Sequence, residues 1–328
     1  MCGIFGIYSN DDITENDLTL VKSSKKYLDH RGPDQFNIKK INKNLIFSHS
    51  RLSIIDLSDE NFQPRKEQET VISYNGEIYN FKELREKYLK SETFVTNGDT
   101  EVLLKMWKKF GKDCLKYLDG MYAFSIWDGN YLNLVTDRFS EKPLFIYEQN
   151  NKIIFSSEPK IFYELFKNDI LAKDTKFFDF MGVQINEESY CKSIKKLKPC
   201  NIIKIKDGKI ISDETYEINI PSKSKNKIEN FSNQNIEEIL ELLLNSIKKR
   251  LISDQKISIL QSGGYDSTLL LAIIKNEIKK DFQCYHLEQK NFSEREQIIL
   301  NFKKLNIPLN YIKFVQFDEN YINIDNII

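Results

Sequence analysis

Cys2 stands directly behind the initiator methionine, where a small side chain lets the processing enzyme take Met1 away. The cysteine would then carry a thiol and a free α-amine on one residue. An α-amine of ordinary pKa ~7.7–8.0 is partly neutral near neutral pH and can take the proton of a thiol whose ordinary pKa is ~8.5. Nucleophile and base would arrive together. A lone Met-Cys start does not establish this, because a free cysteine more often packs as a small hydrophobe. The stretches that follow it decide.

Those stretches come in a fixed order: Cys2-Gly3-Ile4-Phe5-Gly6, Arg31-Gly32-Pro33-Asp34, Ser48-His49-Ser50-Arg51-Leu52-Ser53-Ile54-Ile55-Asp56, Tyr74-Asn75-Gly76-Glu77-Ile78-Tyr79-Asn80 and Asn97-Gly98-Asp99-Thr100-Glu101. Together they resemble the glutaminase domain of glutamine-hydrolysing asparagine synthetase, a class II amidotransferase of the N-terminal-nucleophile group. The resemblance runs from Cys2 to about Glu214. It also takes in Leu118-Asp119-Gly120-Met121-Tyr122-Ala123-Phe124, Asp137-Arg138-Phe139 with Glu141-Lys142-Pro143-Leu144, and Phe155-Ser156-Ser157-Glu158, which read as architectural.

The resemblance implies that Cys2 attacks the side-chain amide of L-glutamine, releasing ammonia and leaving a glutamyl thioester for water to clear. Arg51, with the following Leu52, Ser53, Ile54 and Ile55, would bind the substrate, the guanidinium meeting the α-carboxylate fork to fork as a lysine could not. Glu77 and Asp99 would take the α-ammonium. Asn75 and the backbone N–H of Gly76 would donate to the oxyanion. Each residue also has a plainer use: Asn-Gly favours hairpin turns, arginines form structural ion pairs, and an acidic group caps a helix such as the one Asp99 opens. His49, beside Arg51, is expected to be structural, since the α-amine makes another base unnecessary.

A second constellation is Gln261-Ser262-Gly263-Gly264-Tyr265-Asp266-Ser267, between an expected strand and an expected helix. Glycines and hydroxyls at a helix N-terminus expose N–H groups to an anion. The string resembles the pyrophosphate loop of ATP-dependent amide synthetases. By that resemblance Ser262, Gly263, Gly264, Asp266 and Ser267 would surround pyrophosphate and Mg2+, with Gln261 and Leu287 on the nucleoside of ATP. The chain departs from the family pattern at Tyr265, usually aliphatic, at Ser140 and Cys200, usually glycine, and at Thr136, usually arginine. The two lost glycines put local turns in doubt, because a side chain at positive φ is strained.

The elements that must position these groups fall into two patterns. Up to about residue 215 the chain reads as short apolar or alternating runs, at 4–8, 45–49, 71–74, 123–127, 131–135, 153–156 and 202–205. Helices are expected at 80–90 and 99–110. With the resemblance, this implies a four-layer αββα glutaminase domain over residues 2–217. Residues 218–234 are mostly polar and read as a linker. From 235 to 328, a helical run through Ile236, Ile239, Leu240, Leu243, Ile247 and Leu251 precedes strands at 257–260, 283–287 and 310–314. Helices at 267–279 and 293–305 alternate with these strands. That is a βαβαβ unit, the start of an α/β nucleotide-binding domain. The fold class is therefore α+β followed by α/β. Relatives continue further, through an acidic and glycine-containing signature and a lysine that do not occur in this sequence, so the second domain is expected to be partial.

Lysine plus arginine and aspartate plus glutamate both number 48, so no global field draws the chain to nucleic acid or an anionic membrane. Hydrophobic residues make up 41%, and no run reaches the roughly 18 apolar residues that span a bilayer. The N-terminus has no basic lead, and Asn10-Asp11-Asp12 interrupts it too soon for a secretory signal, so a cytoplasmic protein is expected. Five cysteines without a C-x-x-C pair suggest free thiols, and three scattered histidines, His30, His49 and His286, are too few to argue for a metal centre. The whole implies glutamine hydrolysis feeding an ATP-dependent amidation of L-aspartate, with a separate synthetase chain or a homodimer as the expected partner. Amidation of another carboxylate, such as a sugar acid, and a non-catalytic glutamine-sensing or partner module remain as alternatives.

Overall fold

The structure, a computed structural model, describes residues 1–166, 193–216, 232–279, 281–288 and 293–316. The chain divides into two compact units, Met1–Pro221 and Ser222–Ile328.

In the first unit, β1 (Gly3–Ser9), β2 (Gln35–Lys40) and β3 (Leu45–Arg51) join three later strands, β8 (Phe145–Gln149), β9 (Lys152–Ser156) and β10 (Ile194–Lys196). They form an antiparallel sheet ordered β10-β8-β9-β1-β3-β2. The second sheet, ordered β12-β11-β7-β6-β5-β4, is built from β4 (Arg65–Glu67), β5 (Thr70–Ile78), β6 (Gly120–Trp127), β7 (Leu132–Thr136), β11 (Asn201–Lys206) and β12 (Lys209–Thr215).

Strand alternation sorts the side chains into layers. Ile4, Tyr8, Leu45 and Phe47 of the first sheet meet Val71, Ala123, Trp127 and Leu134 of the second in one buried cluster, with Tyr8 edge-on to Trp127. The odd-numbered partners Phe5 and Ile7 face the other way, against Val21 and Leu28 of α1 (Glu15–Leu28) and Ile161 and Phe162 of α4 (Lys160–Leu165). Beyond the second sheet lie α2 (Phe81–Tyr88) and α3 (Asp99–Phe110), where Trp107 packs edge-on to Phe124. Helices and sheets thus stack as four layers, αββα.

α1 begins with a capping box: Thr14 accepts from the Asp17 N–H, and the Asp17 carboxylate accepts from the Thr14 N–H. Ser140 and Cys200 occupy positive φ, at 52° and 56°, so the turns keep the shape a glycine would allow. Asp137 organises both: its carboxylate accepts four backbone N–H groups, from Tyr122, Phe139, Glu141 and Lys142, and its carbonyl accepts from Ser140 and Cys200.

The second unit contains a parallel sheet of β13 (Ser258–Leu260), β14 (Gln283–Glu288) and β15 (Ile312–Gln316). Parallel neighbours require crossovers. α6 (Tyr265–Ile273) and α7 (Arg295–Lys304) provide them, packing Leu271, Ile298 and Phe302 on Ile259 and Cys284. α6 starts two residues before the sequence expectation, with Gly264 as its N-cap, and its continuation through 274–278 widens to a π turn. α5 (Asn233–Arg250) starts inside the stretch read as linker, because Ser232 and Asn235 form a capping box. Residues 217–231, most of that stretch, lie outside the described residues. Among the described residues no helix is long and apolar enough to cross a membrane.

Candidate active site

Cys2 is set at the entrance to β1, a central strand, by contacts on both sides of its peptide. The Arg31 Nε–H donates to the Cys2 carbonyl at 2.9 Å, and Arg31 is itself held by Glu158 at 2.7 Å. Two residues on, the Ile4 N–H donates to Ser157 Oγ and the Ile4 carbonyl accepts from the Ser157 N–H. The thiol is half-buried beside Leu52, whose N–H donates to Sγ at 3.4 Å. Burial pushes the thiol pKa up. The Leu52 N–H, the N-terminal amine and Arg51 pull it down, while Asp99 adds to the rise. Such a thiol stays protonated until a base takes its proton.

Two candidate bases are the N-terminal amine and His49, which β3 pairs with Ile4 of β1. His49 is fully buried between the sheets, its Nδ1 3.0 Å from Ser73 Oγ, and burial with the Arg51 charge holds its pKa down at about 3. The N-terminal amine of the unprocessed chain, on Met1, is also held below its ordinary value, by burial first, with Arg31 and Lys142 acting the same way and the Cys2 and Asp34 charges opposing them.

Cys2 opens on a cavity of about 100 Å³ that also receives Arg51, Asn75, Gly76, Glu77, Asp99 and Lys142. Arg51, at the end of β3, is buried, and three of its five N–H donors already hold protein. Nη1 donates to Gln35 Oε1 at 3.0 Å and to the Ser58 carbonyl at 2.9 Å, and Nη2 donates to the Asp56 carbonyl. The guanidinium therefore pins the loop 52–58 as well as lining the cavity. Within that loop Leu52, Ile54 and Ile55 line the cavity, whereas the Ser53 N–H is turned to the Asp34 carboxylate at 2.7 Å.

Asn75 and Gly76 lie inside β5, paired with Ala123 and Tyr122, not in a hairpin turn. A Cβ on Gly76 would sit 2.2 Å from the Met121 carbonyl oxygen, so only glycine lets β6 approach here. The Asn75 Nδ2 is buried with no hydrogen-bond partner among the described residues. A buried amide donor left unpaired costs about 1–3 kcal/mol, which marks it as kept for something other than folding.

Two carboxylates complete the polar wall. Asp99 opens α3, and its Oδ2 accepts from Tyr74 Oη at 2.7 Å and from the Ile78 N–H at 2.9 Å. Burial raises its pKa against those donors. Glu77, on β5, is also raised, by burial and then by Asp99, while Lys142 and the N-terminal amine oppose the rise. The cavity thus has carboxylates on one wall, a guanidinium on another, a thiol at the end of β1 and a free amide donor.

Sequence reasoning passed over several lining residues. Lys142 lay in a stretch read as architectural, yet it reaches the cavity. Gln63 arrives through tertiary hydrogen bonds, its Oε1 accepting from the Tyr74 N–H at 2.7 Å, and Asn61 through its amide on the Ile55 carbonyl. Loop contacts outside any helix or strand period bring these in, and no local pattern marks them.

In the second unit, the phosphate-loop candidates come together at the N-terminus of α6. Gly263 has φ +77°, which a side chain would strain, and Gly264 caps the helix. Ser262 Oγ lies 3.2 Å from Ser267 Oγ, while Asp266 and Tyr265 are exposed, Tyr265 almost fully. Gln261 is buried, its amide donating to the Ser267 carbonyl at 3.0 Å, so it shapes the loop, and Leu287 is exposed on β14. Asn301 of α7 ties the loop down through the Gly263 carbonyl. Among the described residues no group of three or more His, Cys, Asp or Glu side chains is placed to hold a metal ion.

The chain matches the glutamine amidotransferase domain family over residues 1–217 and the asparagine synthase family over residues 238–316. It is similar to glutamine-hydrolysing asparagine synthetase 1 of Bacillus subtilis (strain 168), 30% identical over 305 residues that cover 90% of this chain and 47% of the relative. Similarity to asparagine synthetase B of Escherichia coli (strain K12) is 30% over 286 residues, covering 84% of this chain and 45% of the relative. The chain spans about half the length of these curated relatives. Its fold is similar to that of the solved allosteric regulatory enzyme of purine biosynthesis, with a TM-score of 0.51 at 15% identity, covering 95% of this chain and 80% of the other.

Proposed function

The chain belongs to the glutamine amidotransferase domain family, and from that membership we propose that its first unit hydrolyses L-glutamine with Cys2 as nucleophile. The observation that carries this is the convergence, in one cavity, of the Cys2 thiol with Arg51, Glu77, Asp99 and the unpartnered Asn75 amide.

Removal of Met1 gives Cys2 a free α-amine. That amine takes the thiol proton, and the thiolate attacks the carboxamide carbon of glutamine. Arg51 holds the α-carboxylate through donors the loop leaves open, and Glu77 and Asp99 hold the α-ammonium. As the carbon becomes tetrahedral, negative charge moves to the oxygen, where Asn75 Nδ2 and the Gly76 N–H donate to it. The α-ammonium returns its proton to the departing nitrogen, ammonia leaves, and water hydrolyses the thioester to glutamate. His49 takes no part, being neutral and engaged with Ser73.

The asparagine synthase match supports the second unit as the start of an ATP-dependent amidation domain, with aspartate as the acceptor. Ser262, Gly263, Gly264, Asp266 and Ser267 fit an anionic ligand: the loop is accessible and opens a helix, whose N-terminus favours negative charge. ATP with Mg2+, bound there, would supply the activation that lets ammonia displace an oxygen of the carboxylate.

The test is glutamate release by processed protein and by Cys2→Ala. The expected result is loss of hydrolysis with an unchanged melting curve; hydrolysis persisting in Cys2→Ala would end this reading.

A further inference from the structure

Lys142 is only 7% exposed, and among the described residues its ammonium has one hydrogen-bond partner, the Met1 thioether sulfur at 3.1 Å. A thioether is a weak acceptor, and an almost buried cation without a carboxylate partner is unfavourable. The surrounding chain nevertheless fixes it there. Asp137 accepts the Lys142 N–H at 3.1 Å together with three neighbouring N–H groups, and Ser140 holds the left-handed turn between them. Excision of Met1 removes the thioether and leaves the ammonium at the cavity with no protein acceptor from that partner.

We propose that Lys142 is a positioning residue for the proton transfer: its buried ammonium, lining the same cavity as Cys2, keeps the mature Cys2 α-amine free to accept the thiol proton. This rests on the reading of Cys2 as the nucleophile. In the transfer the S–H bond breaks and an N–H bond forms on the amine, which later returns that proton to the leaving nitrogen.

The other charges around the amine single out Lys142. Arg31 also faces it, but Glu158 neutralises Arg31 at 2.7 Å and lies 3.0 Å from His30. Asp34, in the turn after α1, acts in the opposite sense. Arg51 at the end of β3, Glu77 on β5 and Asp99 at the start of α3 face the same cavity and belong to substrate binding in the proposed reaction. Glu141 and Asp137 flank Lys142 on its own loop, and Asp137 is saturated by backbone donors. Among the described residues Lys142 forms no ion pair with a carboxylate; burial lowers its own pKa, and the Glu77 charge on the same cavity is the largest that opposes this. In the unprocessed chain burial and Lys142 act in the same direction on the Met1 amine, one residue ahead of the amine that processing would expose.

The experiment is the pH dependence of kcat/KM for glutamine hydrolysis by processed wild type, Lys142→Met and Lys142→Arg, with intact mass and thermal melts as controls. The base must be unprotonated, so activity rises through the amine pKa, and loss of the cation moves that acid limb to higher pH. The expected shift in Lys142→Met is about one pH unit, as unit charges roughly 10 Å apart give at an effective dielectric near 20. That is about a tenfold loss below the inflection and little change well above it. Lys142→Arg should retain the wild-type inflection. Lys142→Gln serves as a second neutral variant if Lys142→Met does not fold. An unmoved inflection in a folded neutral variant overturns the inference, as does a change confined to KM, which would make Lys142 a substrate contact. If Cys2→Ala hydrolyses glutamine, the parent reading fails; if it is inactive while neutral variants keep the inflection, only this inference fails.

Discussion

Replacing Asn75 by alanine should separate chemistry from folding in a way few core substitutions can. The Asn75 side chain is buried in β5, yet its Nδ2 donates to no protein atom among the described residues. Removing it breaks no native hydrogen bond through that nitrogen and relieves an unpaired donor worth about 1–3 kcal/mol. The void left by the amide works against this gain by a similar amount. Net stability should therefore stay within about 1 kcal/mol of wild type. If the amide meets the oxyanion, its loss removes about 2.7–4 kcal/mol of transition-state stabilisation, or roughly 10²–10³ in kcat. KM should change little, because the contact strengthens only as charge develops. Glutamate release at saturating glutamine gives kcat, and a urea titration gives stability. A kcat within tenfold of wild type would refute the assignment, and so would a fall in stability of several kcal/mol, since Asn75 would then be structural.

Arg51→Lys should raise KM for glutamine at least about tenfold and also lower stability by about 1–3 kcal/mol, because a point charge replaces both the fork and the contacts to Gln35, Asp56 and Ser58. An unaltered KM would remove Arg51 as the carboxylate anchor. Ser140→Gly should stabilise the protein by about 0.5–1 kcal/mol, since Ser140 sits at φ 52° and its buried hydroxyl has no partner among the described residues; a lower urea midpoint would contradict this. His49 has a folded pKa near 3 against about 6.5 unfolded, so the unfolded chain binds the extra proton first as pH falls. Stability should therefore decline from about pH 6.5 toward 3, by up to about 1.4 kcal/mol per unit. Urea midpoints at pH 7.5 and 5.5 check it, and His49→Asn should flatten the slope.

Seven of the twelve strands of the two sheets and the parallel βαβαβ unit could be read from apolar runs because period and flanking turns carry that signal locally, whereas β2, β4, β8, β10 and β12 were not read. The first helix was not read, although Thr14 and Asp17 form its capping box and Val21 and Leu28 its buried face. Its apolar positions are spaced among lysines that dilute the pattern. Cys2, Arg51, Asn75, Glu77 and Asp99 were legible because short motifs carry them, and the structure gathers them in one cavity. What the motifs did not convey is division of labour: Arg51 spends two donors on its own loop and a third on Gln35, and Gln261 faces its helix and not open space. Lys142 was missed because its reach depends on a turn whose usual glycine is Ser140, stabilised by a carboxylate that no local rule assigns to that task.

The central claim is that Cys2 acts as a processed N-terminal nucleophile. It is tested most directly by intact mass and peptide mapping of active protein treated with an electrophilic analogue of glutamine. The expected result is a chain lacking Met1, with one equivalent of label on the Cys2 peptide in proportion to lost hydrolysis. Active protein that retains Met1, or inactivation with the label on another residue, would contradict the account.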